Sequence, residues 1–534
     1  MRRLDYKWGV LISVIFGIFM VILDSTVVNV ALATIREEFH TSLTDTQWII
    51  SLYTMALGIS TPLAGFLGDR FGLKRIYVLG LILFVLGSLA CGFAPTSNIL
   101  ILILARAVQG VGGGISLPLG TALLFGAFQP EEQGLAYGIF GIALVVAPAL
   151  GPILGGWLVD QDLWRFIFFI NVPIGLLGIV LASRILREQR SERVPVFDWL
   201  GLVFSTIGFG SVLYAASIAA DDGWTSTKVL AFFAIGGVGL LIFALIELFV
   251  ARDPLLDLRL FKRPVFLNAT VVGYVSVVAL FGAEFLLPLY LQTLRGKSAL
   301  ETGVILLPLA LSSGVVVPLA GKLYDKVGAR PLMVVGFGLL ALNTWQFSQL
   351  TADTSIGWIL VLLAIRGVAL GLTVQTTVVA ALSVVTKREY SRASSLSNAT
   401  RQVVQSIGVA VLATILATAL SAEIRQYQNT VLDQPRSSGS TPIALCQPLP
   451  VSLLTAGAPD GGPPPQQLAT LLQEACQQSI KGYENAYKLT FYFALLAMAL
   501  GALLPGWPFK WEGRTSRAEP AEASGSEPSI PVAD

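Results

Sequence analysis

The 534-residue chain is 54% hydrophobic and 13% charged, with a mean hydropathy of +0.73; soluble domains carry about 25% charged residues. A soluble protein of this length is excluded, and an integral membrane protein built mostly of helix is expected. Lys plus Arg (35) nearly balances Asp plus Glu (33), for a net charge of +2, so nothing in the charge calls for nucleic acid or an acidic partner.

The start, MRRLDYKW followed by an apolar run, superficially resembles a signal peptide, but the run is too long and lacks a small-residue cleavage site. A hydrocarbon core about 30 Å thick needs about 20 helical residues, and apolar runs bounded by charge, Gly/Pro or polar clusters predict fourteen spans. They lie near 10–34, 46–67, 76–94, 98–127, 134–157, 166–186, 198–218, 229–250, 265–292, 301–321, 332–350, 357–383, 397–421 and 486–508. An even count puts both termini on one side. The segments on that side hold more than twice as many Lys and Arg as the opposite ones, which by the positive-inside rule makes it the cytoplasm. The segment 422–485 is then an extracytoplasmic loop, where a disulfide between Cys446 and Cys476 is permitted. The polar, Pro/Ala/Ser-rich stretch 511–534 reads as a disordered cytoplasmic tail. One histidine (His40) and three cysteines are too few soft ligands for a zinc or iron site; Cys91, inside an apolar run, reads as a small hydrophobe.

The chain repeats itself. GFLGDRFGLKRIYVLG (65–80) is echoed by GKLYDKVGARPLMVVG (321–336), with Gly65, Leu67, Asp69, Gly72, Val78 and Gly80 returning as Gly321, Leu323, Asp325, Gly328, Val334 and Gly336. LARAVQGVGG (104–113) is echoed by LAIRGVALGL (363–372), which sets Arg106 opposite Arg366. Two nearly equal offsets imply a duplicated set of six helices, with the spans near 198–218 and 229–250 between the copies. Parallel halves of this kind are a transporter architecture, because two similar bundles can rock about a site between them.

GFLGDRFGLKR resembles the cytoplasmic loop signature of the major facilitator superfamily, and the fourteen-span layout resembles its drug:proton antiporter branch, the EmrB/QacA type. LDSTVVNVAL (23–32), RAVQGVGGG (106–114), APALGPILGG (147–156) and WRFIFFINVPIG (164–175) resemble that branch's first-helix, fourth-helix, antiporter and sixth-helix motifs. Three departures stand out: Ala33 where the family usually has Pro, Gln133 and Leu135 at commonly basic positions after Glu131 and Glu132, and the long 422–485 segment. The resemblance implies an all-α integral membrane protein of the major facilitator fold, two six-helix bundles plus two extra helices, with 14 transmembrane helices. The expected division is an N-terminal bundle over 1–190, two linker helices over 191–260, and a C-terminal bundle over 261–510 that carries the outer loop.

Counting along the helices puts Asp24 and Arg106 at comparable depth in the outer half. A charge at the bilayer centre costs about 2.5–3.5 kcal/mol on insertion scales, so each should face an aqueous cavity or a partner. Proton coupling by Asp24 and Arg106 competes with a static ion-pair anchor. Glu284, late in an outward-running span, is divided between coupling and a solvated rim. For the cytoplasmic gate the expected residues are Gly68, Asp69, Arg70, Gly72 and Arg75, with Asp325 repeating the carboxylate. Gly68 and Gly72 permit a tight turn, Asp69 can cap a helix N-terminus, and relatives use this Asp to latch the halves; a purely topological role competes for the basic residues. Ala147, Gly151 and Gly155 form a small-xxx-small face, while Pro148 and Pro152 favour a bend. With Gly156 they complete the antiporter string, which the resemblance associates with export. Candidate substrate contacts are Asn29, Trp48, Tyr53, Gln109, Tyr290 and Gln375, although packing competes at each.

GVGGG lacks the Lys and Ser/Thr of a phosphate-binding loop and lies inside a span, so ATP is not the expected energy source. With one histidine, hydrolase chemistry has little to stand on. No catalytic residues and no cofactor are expected; a proton gradient supplies the energy. The expected function is a proton-coupled exporter of hydrophobic, cationic small molecules in the cell membrane, with both termini cytoplasmic. Export of a lipid, siderophore or endogenous metabolite by the same cycle is the alternative, and a receptor or channel a more distant one. Expected partners are the substrate, protons and the bilayer, with a membrane-fusion accessory protein as an open addition.

Overall fold

The computed structural model describes residues 5–190, 195–419, 445–446 and 465–506. The long helices are α1 (Tyr6–Glu38), α2 (Leu43–Phe71), α3 (Leu73–Gly92), α4 (Ile99–Ala127), α5 (Gln133–Asp160), α6 (Asn171–Ile185), α7 (Trp199–Asp222) and α8 (Thr227–Leu245). They continue with α9 (Pro264–Glu284), α10 (Ala299–Val327), α11 (Ala329–Phe347), α12 (Ile356–Leu382), α13 (Tyr390–Ala419) and α14 (Pro465–Gly501). Among the described residues the sole β pairing is an isolated bridge between Gly328 and Gly506. This is what lipid demands, since a helix satisfies its backbone groups internally.

Eleven of these helical segments are long and apolar enough to cross a membrane. The expected count of fourteen is therefore met only in part. In α9 the short apolar stretch is Pro264–Ala279, while α11 and α14 carry more polar residues. The last helix also differs from expectation: α14 begins at Pro465 rather than near 486, inside the segment read as loop. Its first turns, PQQLATLLQEACQQS, are too polar to register as a span yet contain good helix formers. Cys476 in this extension is disulfide-bonded to Cys446, and the N–H groups of Leu445 and Cys446 donate to the carbonyls of Thr293 and Leu294.

Both repeated loops turn on a glycine in the left-handed region: Gly72 (φ 105°) joins α2 to α3, and Gly328 (φ 81°) joins α10 to α11. Only glycine adopts such angles without steric cost. Gly68, by contrast, is helical; a Cβ there would stand 2.7 Å from Leu73 and 2.9 Å from Leu119. It permits close packing, and the turn is made by Gly72 alone.

In the first copy α1 packs on α4, α5 and α6, and α4 on α2 and α3; in the second, α12 packs on α9, α10 and α11, and α14 on α9 and α11. The copies meet along two seams, α5 against α10 and α2 against α13. Helix α7 lies against α2, α13 and its neighbour α8, so the intervening pair flanks the second seam.

Candidate functional site

Within the first copy, α1, α3, α4 and α6 bring polar side chains together in an apolar interior. Asp24 and Arg106 are 0% and 1% exposed, and the Arg106 guanidinium donates to Asp24 Oδ2 at 2.5 Å. Asp24 Oδ1 accepts N–H groups from Gln109 and Asn171, each at 2.7 Å. Those two amides also donate to Ser88 Oγ, at 2.8 and 3.0 Å. Arg106 further donates to Gln109 Oε1 (2.7 Å) and the Ile49 carbonyl (3.3 Å), and lies 4.0 Å from the Tyr53 ring centroid. The two charges thus have partners in each other and in the surrounding amides. Every contact to Asp24 is an N–H donor, as a carboxylate, with acceptors only, requires. The Asp24 carboxylate supplies the charge that compensates the buried Arg106 guanidinium, and losing that charge would leave a buried cation uncompensated.

Tyr53 and Gln109, expected to touch substrate, belong to this network. Ser88 and Asn171 were not singled out from sequence; the signal for Asn171 was a lone amide inside WRFIFFINVPIG.

The string 147–156 forms the surface between α1, α5 and α10. Ala147 is fully buried. A Cβ on Gly151 would stand 2.1 Å from Thr26 Oγ1, and one on Gly155 would stand 3.0 Å from the Val27 carbonyl oxygen. Gly156 faces Leu300, and Pro152 faces Gly303. Helix α5 runs unbroken through Pro148 and Pro152. One face of the string therefore meets α1 two residues beyond Asp24, and another meets the second copy. Such small-residue faces let backbones approach closely in lipid.

At the end that carries the repeated loops, each copy places a carboxylate on the N-terminus of a helix of the other. Asp69 accepts from Ser391 Oγ and from Arg392 Nε (2.8 Å) at the start of α13. Asp325 accepts the backbone N–H groups of Gly134 and Leu135, each at 3.1 Å, at the start of α5. The repeat extends to the glycines one turn earlier. A Cβ on Gly65 would stand 2.8 Å from the Ser391 carbonyl oxygen, and one on Gly321 2.1 Å from that of Gly134. Leu135 acts through its main chain, so the loss of a basic side chain there leaves this contact intact. Arg70 and Arg75, expected at the gate, stay on their own side: Arg70 donates to the Pro195 carbonyl (2.6 Å), and Arg75 pairs with Glu188 at 3.5 Å.

The remaining candidates are dispersed. Asn29 is exposed on α1. Trp48 stacks on Tyr214 of α7 at 5.6 Å between centroids. Tyr290 is 1% exposed and donates to the Thr351 carbonyl at 2.6 Å. Gln375 on α12 is 4% exposed, and neither polar atom of its amide has a hydrogen-bond partner; it lies beside Gly141 of α5. Glu284 ends α9, but its side chain lies outside the described residues. Arg366, fully buried, repeats Arg106 on α12 and donates to Thr344 Oγ1 (3.1 Å) and the Ala279 carbonyl (2.8 Å).

Two similar helical halves joined by reciprocal carboxylate contacts, the first holding a buried ion pair in its interior, are the architecture of a multi-pass membrane transporter. The chain belongs to the Major Facilitator Superfamily, whose pattern it matches over residues 14–409. It is 37% identical over 407 residues to an uncharacterized MFS-type transporter, YhcA, of Bacillus subtilis (strain 168), covering 76% of each chain. It is 34% identical over 401 residues to a multidrug resistance protein B homolog of Mycobacterium tuberculosis (strain ATCC 25618 / H37Rv), covering 74% of this chain and 73% of the relative. With the tetracenomycin C resistance and export protein of Streptomyces glaucescens it shares 31% identity over 530 residues, 98% of this chain and 94% of the relative. Among solved structures the human organic anion transporter MFSD10 superposes with a TM-score of 0.58 at 12% identity, covering 91% of this chain and 99% of that one; this likeness concerns the fold.

Proposed function

We propose that the chain is a proton-coupled secondary exporter, exchanging inward-moving protons for outward-moving hydrophobic, cationic drugs or other small toxic compounds. In this reading fourteen spans form two six-helix bundles, 1–190 and 261–510, with α7 and α8 between them. Both termini, and the end carrying Asp69 and Asp325, lie in the cytoplasm. The latched end makes the present state inward-closed. The observation that carries the proposal is the contact set of Asp24: a buried carboxylate held by Arg106, Gln109 and Asn171, whose neutralisation by a proton would take away the charge that compensates Arg106. Its helix bears on the Gly151 and Gly155 face of α5, so a shift at Asp24 reaches the α5–α10 seam. Relatives named for multidrug resistance and for export of tetracenomycin C support drugs as the cargo. Asn29 and Gln375 are the polar residues proposed to meet cargo, Gln375 because its buried amide has hydrogen bonds to offer. Glu284 is proposed as a second coupling carboxylate.

The test is transport into reconstituted vesicles under an imposed pH gradient, across a chemically varied panel of drugs. Accumulation that follows the gradient and is competed by other cationic drugs is expected. Accumulation independent of the gradient would overturn coupling. Competition by lipids or siderophores alone would overturn the drug reading in favour of a metabolite exporter.

A further inference from the structure

The helices between the repeats bring together a carboxyl pair that the transport site does not use. Glu247, in the π-helical turn Ile246–Val250 that ends α8, is 1% exposed. Its Oε1 accepts the Leu255 N–H at 3.1 Å, while its buried Oε2 has no hydrogen-bond partner. Asp198 caps α7, its Oδ1 accepting the Gly201 N–H at 2.8 Å, and its buried Oδ2 is likewise without a partner. The two carboxyls approach across Gly201, where a Cβ would stand 2.2 Å from Asp198 Oδ2 and 3.1 Å from Glu247 Oε1. The burial of Glu247 and the Asp198 carboxyl facing it across Gly201 both weigh against ionising the two groups together, and one proton held by the pair removes that cost.

The pair adjoins the latch. Arg392 of α13 holds Asp69 of α2 through its Nε at 2.8 Å. Arg70 of α2 donates to the carbonyl of Pro195, and Phe66 of α2 packs edge-on against Phe197, which ties α2 to the segment leading into Asp198. The other charges at this end have their own contacts. Asp253 accepts the Val196 N–H, Arg259 donates to the Leu248 carbonyl, and Arg263 pairs with Glu389.

We propose that Asp198 and Glu247 form a proton-binding site, separate from the transport site, whose occupancy sets how firmly Arg392 holds Asp69 and thus how readily the latched end opens. The coupling rests on the reading of Asp69 as a latch; the proton site itself does not. Holding one proton, the pair carries one negative charge. Losing it adds a second, which draws Arg392 away from Asp69 and repels the Asp69 carboxylate. Rising pH at this end therefore loosens the latch.

The experiment uses the full chain in lipid nanodiscs. Infrared difference spectra should contain a protonated-carboxyl C=O band near neutral pH that vanishes on alkaline titration and is missing from Glu247→Gln and from Asp198→Asn. Asp198→Asn serves if Glu247→Gln fails to fold, since Asn also caps helices. A wild type without the band, or a band that survives both substitutions, would overturn the proton site. For the coupling, Ser395→Cys reports opening, because Ser395 of α13 is fully buried against Gly65 of α2. Its maleimide labelling, normalised to denatured protein at each pH, should rise severalfold from mildly acid to mildly alkaline pH. In Glu247→Gln that rise should disappear. A titrating band with pH-independent labelling would overturn the coupling. Labelling that stays low even in Asp69→Asn would overturn the latch reading and leave the proton site standing.

Discussion

Asp24 owes its position to four helices: α1 carries it, α4 supplies Arg106 and Gln109, α6 supplies Asn171, and α3 offers Ser88 as the shared acceptor. A buried ion pair is not by itself stabilising, but removing one member strands the other at a cost of about 3–5 kcal/mol. Asp24→Asn keeps the volume, removes the titratable group and leaves Arg106 facing an amide. Uphill, proton-driven export should be lost, while exchange down a substrate gradient persists. The measurement is drug accumulation in vesicles under a pH gradient, normalised to folded protein; wild-type uphill transport would move the search to Glu284. Asn171→Ala removes one donor to the carboxylate, and about 1–3 kcal/mol is the usual cost of such a loss. It should lower the thermal midpoint of the purified protein by several degrees and slow transport, whereas Asn29→Ala should leave the midpoint unchanged.

Among the helices, the seams depend on glycines more than on charge. At Gly321 a Cβ would stand 2.1 Å from the carbonyl oxygen of Gly134, and the rigid backbone cannot yield. Gly321→Val should therefore prevent α5 and α10 from closing at the latched end, raising labelling of Ser395→Cys severalfold with normal membrane insertion; unchanged labelling would count against the seam. The latches are expected to differ. Asp69→Asn loses a charge-assisted bond to Arg392, worth about 1.5–3 kcal/mol, which corresponds to a shift of about 10- to 100-fold toward the open state. Asp325→Asn keeps one acceptor for the backbone N–H groups of α5, and should shift the equilibrium less. Transport rates and labelling of both variants at equal expression test that order.

For the molecule as a whole, charge distribution and repeat make one prediction about sidedness. A cysteine at Ser438, between α13 and α14, should react with an impermeant thiol reagent added outside intact cells. Exclusive labelling from the cytoplasmic side would reverse the topology and place the latch outside. Much of the architecture was legible beforehand, because apolar runs of helical length and loops with a left-handed glycine are written locally. The start of α14 was not. Its polar first turns are helical without being apolar, and hydropathy detects only apolar helices. The latch was half legible: Asp69 and Asp325 stand in a recognisable repeat, but their partners are a hydroxyl and guanidinium at Ser391 and Arg392 and two main-chain N–H groups, which leave no motif.

The sequence by itself determined a helical membrane protein, its internal duplication, its family, and the carboxylates and arginine on which coupling is proposed to turn. Composition and periodicity are properties of consecutive residues, and so survive without a fold. Tertiary structure alone decided who meets whom. It set Tyr53 and Gln109 beside the ion pair, gave Arg70 and Arg75 partners at Pro195 and Glu188, and brought Asp198 to face Glu247 across Gly201. The physical reason is distance along the chain. Asp69 and Arg392 lie 323 residues apart, and Asp24 and Asn171 lie 147 apart. No local propensity records a contact of that span; only the packing of helices against one another creates it.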